Sequence, residues 1–239
     1  MELRDPVSSA SHLLTAVWAA YATLILIRLT PPRSAKRWSV VVFGLSMVLL
    51  YAASGTFHGV PYTRVDDPDA FRFFQKLDQS AILLLIAGTN TPILVVLLGG
   101  RKGIWFLRLM WGLAAVGVAC LWVLPKAPHW ALVAIYLAMG WLGVVPVVHY
   151  YRLLGWRAMN WMWAGAGFYT IGAVCELVEW PVLSEYPVRF GYHEVLHLCD
   201  TAASASFFVF VVRVVLPFVP RPVLTGPGGH RAVPEPVAA

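Results

Sequence analysis

The segment from Gly191 to Asp200, GYHEVLHLCD, contains the pattern H-E-x-x-H as His193, Glu194 and His197. Residues four apart share one face of a helix, so the two imidazoles can hold a single metal ion. In zinc metalloproteases the same pattern supplies two ligands and a glutamate base. His58 is a candidate third ligand, Ser54 stands four residues before it, and Asp78 is a candidate to hold a water or accept its proton. Three nitrogen ligands with an open fourth position describe a catalytic zinc site, where the metal brings the pKa of a water down to about 7. That chemistry needs residues far apart in the chain to meet at one point.

The elements that must bring them together are apolar. Of 239 residues, 59% are hydrophobic and only 13% charged, about half the charge of a soluble domain. The chain has 11 Trp and 9 Tyr, residues that collect at membrane interfaces. A bilayer core needs roughly 20 apolar residues per helix. Seven such spans are expected, at about 11–29, 39–60, 77–98, 104–124, 129–150, 160–180 and 192–216. The expected fold class is an all-α integral membrane protein, a seven-transmembrane helix bundle with a zinc site near one membrane face. Residues 1–217 are expected to form a single membrane domain and 218–239 a disordered tail rich in Pro and Gly. The first apolar run is expected to stay as a helix, because it lacks a short apolar core followed by a cleavage site. Between the spans, PYTRVDDPDAFRFFQK and WPVLSEYPVRF read as loops, and Pro92 is expected to kink or end the third span. Cys120, Cys175 and Cys199 are odd in number and lie in apolar segments, which argues against a disulfide framework. The net charge of +6 reflects Lys and Arg of the loops and not a nucleic-acid partner.

With seven spans, the end of span 2 and the starts of spans 3 and 7 lie on one side of the membrane. His58, Asp78, His193 and His197 then share a depth. Ionisable groups inside apolar helices are costly, so each is a functional candidate. The plainer alternative is a histidine that hydrogen-bonds between helices; three histidines and a carboxylate at one depth make the metal the better reading. Glu194 neighbours His193 and points about 100° away on a helix, which suits a headgroup or supporting contact better than a base. Glu176 and Glu179 share a face near the end of span 6, and pairing with Arg189 or water is the plain reading. Asp200 is placed to orient His197, and His12 to cap or pack the first helix. His129, His149 and His230 read as loop, interface and tail residues.

Four stretches, taken in order, resemble the hemolysin III family of bacteria, related to the progestin and adiponectin receptors. They are SSASH at Ser8–His12, YAASGTFHGV with Ser54 and His58, KLDQSAILLLIAGTNTP with Asp78, and FGYHEVLH with His193 and His197. The resemblance implies a seven-helix fold with one zinc. It puts His58, His193 and His197 at the ligand positions, and Asp78 and Ser54 at those that hold the water. The wider group includes alkaline ceramidases, which cut lipid amides. The CELVE segment around Glu176 departs from the mostly apolar family pattern.

Zincins continue the motif with a further histidine; the continuation here, LCDTAASASF, holds none, and no Leu-Asp-Gly of the intramembrane proteases occurs. The expected function is therefore zinc-dependent hydrolysis of a lipid amide or ester, with a membrane lipid as substrate or ligand. A zinc-containing receptor without catalysis and a haemolysin-type pore former are the alternatives. The bacterial inner membrane is the expected location. Six of the 18 Lys and Arg (Arg4, Arg64, Arg72, Lys76, Lys126 and Arg189) fall on the side of the candidate site. The positive-inside rule thus turns that side outward, whereas the relatives are drawn with zinc toward the cytoplasm.

Overall fold

The computed structural model describes residues 4–61, 63, 65–124, 128–184 and 190–219. Most of the expected tail, 220–239, lies outside the described residues. Eight α-helices follow one another: α1 Pro6–Arg28, α2 Ala35–Gly59, α3 Pro68–Ile93, α4 Gly100–Val123, α5 His129–Leu142, α6 Val147–Ala158, α7 Asn160–Val178 and α8 Tyr192–Phe210. Single π turns, Leu94–Leu98 and Val211–Val215, extend α3 and α8. Two short antiparallel strands, β1 Val182–Ser184 and β2 Phe190–Gly191, lie where the sequence reads as a loop.

Local chemistry accounts for the helix ends. Ser34 accepts the Arg37 N–H (3.1 Å) and caps α2. Asp67 accepts the Ala70 N–H (3.0 Å), and Pro68 occupies the first helical position of α3. That pair starts α3 at Pro68, ahead of the expected start near residue 77, so much of the supposed loop is helix. Pro92 neither ends nor breaks α3. The chain passes through it into the π turn and stops at Gly99 and Gly100, whose φ angles of 53° and 54° suit glycine.

Five helices among the described residues are long and apolar enough to cross a membrane: α1, α2, α3 with its π turn, α4, and α8 with its π turn. The expected fifth span, 129–150, is instead two helices, α5 and α6, bent by 72° at a break between Leu142 and Val147. Pro146, which has no N–H to donate, sits in that break. Counted as one bent span, the pair makes six. The chain is an all-α membrane protein.

Its helices expose apolar side chains outward and bury polar and small residues beside large apolar ones. On α1, Leu14, Val17, Tyr21 and Leu24 are exposed on one stripe, while Ser8, His12, Thr15, Ala19 and Ala22 are buried. The core joins α1, α2, α3, α7 and α8 through Leu26, Phe43, Met47, Tyr51, Leu85, Met162 and Phe210. A smaller cluster, Leu83, Ala87, Met110 and Met139, joins α3 to α4 and α5. At Gly172 of α7 an added Cβ would lie 2.9 Å from the Cys199 Cβ and 3.1 Å from Leu196 of α8. That close approach presses α7 onto the part of α8 that carries His193 and His197.

Candidate metal centre

His58 is in the last turns of α2 and buried, with Ser54 buried one turn earlier. His193 and His197 lie in the first two turns of α8, and Asp78 lies within α3. The structure brings all five residues together. One ring nitrogen from each of His58, His193 and His197 falls within 4.8 Å of the others. The closest pair is His58 Nε2 and His193 Nε2, 3.1 Å apart. Ser54 and Asp78 line the same cavity as His193 and His197.

The far sides of these rings show what the near sides can do. His58 Nδ1 is 3.0 Å from Asp5 Oδ2, and the Asp5 backbone N–H donates to the His58 carbonyl at 3.0 Å. Burial pushes the Asp5 carboxyl up, but hydrogen bonds and charge from His58 and Arg4 outweigh it and hold it at about 2. A carboxylate only accepts, so His58 Nδ1 donates to it, and in the neutral ring Nε2 keeps its lone pair. His193 Nδ1 faces Glu176 Oε2 at 3.0 Å, and the other Glu176 oxygen is 3.2 Å from His129 Nε2. Glu176 likewise accepts from His193 Nδ1, and in the neutral ring the Nε2 lone pair faces that of His58.

With both rings neutral, those lone pairs, 3.1 Å apart, repel each other unless a positive charge lies between them. Zn–N bonds of 2.0–2.1 Å in a tetrahedron set ligand nitrogens about 3.3 Å apart. The pair therefore fits a shared metal ion. His197 is held differently: its Nδ1 is 3.5 Å from Ser11 Oγ, and its ring stacks on His12 with centroids 3.6 Å apart. Neither ring nitrogen of the buried His12 has a hydrogen-bond partner.

A cavity of about 380 Å³ adjoins the centre. Ser54, Asp78, Glu176, His193, His197 and Asp200 line it together with many apolar side chains of α3, α5 and α7, among them Ile82, Leu85, Val133, Leu137 and Met162.

Glu194 is not a lining residue of that cavity. It is buried at the start of α8, accepting the Gly191 N–H (2.7 Å) and the Ser8 hydroxyl (2.8 Å). It is thus a helix cap that also ties α8 to α1. Asp200 lines the cavity, but His197 Nδ1 faces Ser11 Oγ, and Asp200 uses its backbone carbonyl to accept the Tyr51 hydroxyl (2.8 Å). Glu176 binds two histidines, while its expected partner Arg189 lies outside the described residues. Glu179 does not share its face, because α7 ends at Val178 and Glu179 turns left-handed with φ 54°. His149 lies 3.2 Å from the Leu97 carbonyl; His230 lies outside the described residues.

Sequence reasoning missed Asp5 entirely and read His129 as a loop residue. A carboxylate just ahead of Pro6 looks like an ordinary helix cap, yet the Asp5 side chain makes no cap hydrogen bond. Only the docking of α1 against α2 gives it to His58.

The haemolysin-III-related family model matches residues 2–208. The chain belongs to that family. It is 32% identical over 219 residues to Hemolysin-3 of Bacillus cereus, covering 90% of this chain and 94% of that one. Hemolysin-3 homolog of Bacillus subtilis (strain 168) is 26% identical over 222 residues, covering 91% and 98%. The haemolysin-III match takes in Asp5, the three histidines, Glu176 and every lining residue of the cavity.

Proposed function

We propose that this family member is a zinc-dependent hydrolase of a lipid amide or ester, resident in a bacterial inner membrane. The observation that carries the reading is the pair of inward-facing Nε2 atoms 3.1 Å apart, with His197 near and Asp78 beside a cavity. His58, His193 and His197 would hold the ion, which supplies Lewis acidity and a water acidified to about pKa 7.

The remaining chemistry belongs to the chain. Asp78 accepts the proton of the attacking water as its oxygen bonds to the carbonyl carbon. It then returns that proton to the leaving nitrogen or oxygen as the acyl bond breaks. Ser54, which lines the same cavity, would donate to that carboxylate and fix its direction. A further role for Ser54 as donor to the developing oxyanion requires it to release Asp78 first. The apolar wall of the cavity, largely from α3, α5 and α7, suits a hydrocarbon tail whose polar group sits among Asp78, His193 and Glu176.

Seven crossings belong to the same reading. His129 opens α5, Glu176 lies near the end of α7, and both touch each other beside the start of α8. Those contacts fit α5 with α6 crossing once and α7 crossing back, which would add α7 to the six.

The test is elemental analysis of detergent-purified protein together with a screen of amide- and ester-linked lipids. About one zinc per chain and release of a fatty acid support the reading. Protein purified without chelator that holds no zinc overturns it.

A further inference from the structure

Two carboxylates take no part in that reaction, yet each stands behind a histidine of the centre. We propose that Asp5 and Glu176 are the positioning residues of the centre, each locking the tautomer and ring of one ligand so that both Nε2 lone pairs meet on one cation. The inference rests on the metal reading above.

Neutral imidazole can carry its proton on either nitrogen, and only the Nδ1–H form offers Nε2 to an ion. Asp5 Oδ2 lies 3.0 Å from His58 Nδ1, and Glu176 Oε2 lies 3.0 Å from His193 Nδ1. Each contact selects that form and increases the basicity of the opposite nitrogen. The two anchors come from separate parts of the chain, one preceding α1 and one near the end of α7, so they were not imposed by a single turn. Asp5 forgoes a cap hydrogen bond at its own helix to make this contact. Glu176 is steadied in turn by His129 on its second oxygen. Arg4 pairs with Asp5 at 2.9 Å, whereas the partly buried Glu176 faces imidazoles, and a dication between the rings would offset its charge. Among the described residues no carboxylate is found at His197 Nδ1, which faces Ser11 Oγ at 3.5 Å while its ring stacks on His12. The centre thus has two held ligands and one looser one.

The experiment uses the full chain in detergent, stripped with chelator and titrated with zinc against a fluorescent competitor, then with cobalt by visible absorption. Asp5→Asn and Glu176→Gln should each weaken zinc binding by about 10–100-fold and alter the cobalt bands. A purely structural role would change thermal stability but leave the affinity and the bands of folded protein as in the wild type, and that result overturns the inference. Wild type that takes up neither metal removes the metal reading itself, a distinct outcome. If the two amides do not fold, Asp5→Glu and Glu176→Asp keep the charge but move it by one methylene. Unchanged affinity and bands in those variants count equally against the proposal.

Discussion

Charged side chains gather at both ends of this bundle, but they answer different needs. At one end Asp5 and Glu176 face imidazole nitrogens that turn their other nitrogens inward. At the opposite end Arg37 donates to the carbonyls of Ile27 and Thr30, at 2.8 and 2.7 Å, where α1 finishes. Lys36 donates to the carbonyls of Leu216 and Phe218, at 2.6 and 2.7 Å, beyond α8. The last carbonyls of a helix lack intrahelical partners and carry partial negative charge, so cations there close off the backbone. Nothing about those contacts needs a further ligand. The carboxylate–histidine pairs at the other end turn two Nε2 atoms toward each other at 3.1 Å, an arrangement that suits one. An ionised group in a membrane helix bundle marks a site when its contacts leave something unsatisfied, not simply because it is charged.

The contrast breaks most visibly if the histidines prove dispensable. His193→Ala/His197→Ala should remove the zinc altogether, from about one per chain to none, by elemental analysis of the purified protein. Retained zinc would move the site elsewhere. Asp78→Asn should then separate binding from chemistry. Lipid hydrolysis should fall by about 10²–10⁴-fold while the zinc stays bound. Loss of both together would make Asp78 a ligand and not the proton acceptor.

The histidine end was only half legible in the sequence. His58, His193, His197, Ser54 and Asp78 stood out because polar groups at helical spacing inside apolar runs are costly to keep there. Asp5 did not, His129 reads as a loop residue, and Glu176 stands out but with Arg189 or water as its partner. Asp5 lies 53 residues from the ring it serves, and Glu176 lies 17 residues from His193 on a neighbouring helix. No periodicity connects such pairs; they exist only once α1 docks on α2 and α7 on α8. The fold failed at two places for a related reason. Hydropathy measures how apolar a segment is and not whether it is straight, so it merged α5 and α6 across Pro146. It also set the start of α3 at the apolar edge, although the cap Asp67 and the following Pro68 were there to be read.

Glu194 sharpens the comparison, because it is a carboxylate at the histidine end with the job of a cap. Glu194→Gln keeps one acceptor oxygen for Gly191 or Ser8 and loses the anionic charge near the start of α8. Thermal inactivation in detergent should show a loss of about 1 kcal/mol, with hydrolysis mostly retained. A fall in hydrolysis as large as that of Asp78→Asn would restore Glu194 as the general base of a zincin-like site.

The smallest effect is expected at the far end, and it is the control for all the others. Lys36→Met keeps most of the apolar stem and removes the ammonium that joins α2 to the carbonyls of Leu216 and Phe218. Lys36 is only partly buried, so water can take over those two carbonyls when the cation is gone. The cost should therefore stay near the usual figure for a cation at a helix C-terminus, about 0.3–1 kcal/mol. Zinc affinity and hydrolysis should not change, because Lys36 serves backbone groups at the end of α8 opposite His193 and His197. The measurement is thermal inactivation alongside the zinc titration used for Asp5→Asn. A matching loss of zinc affinity would mean that α8 transmits strain from its last turn to its first. In that case the two ends would form one coupled unit, and the division between structural and functional charge would fail.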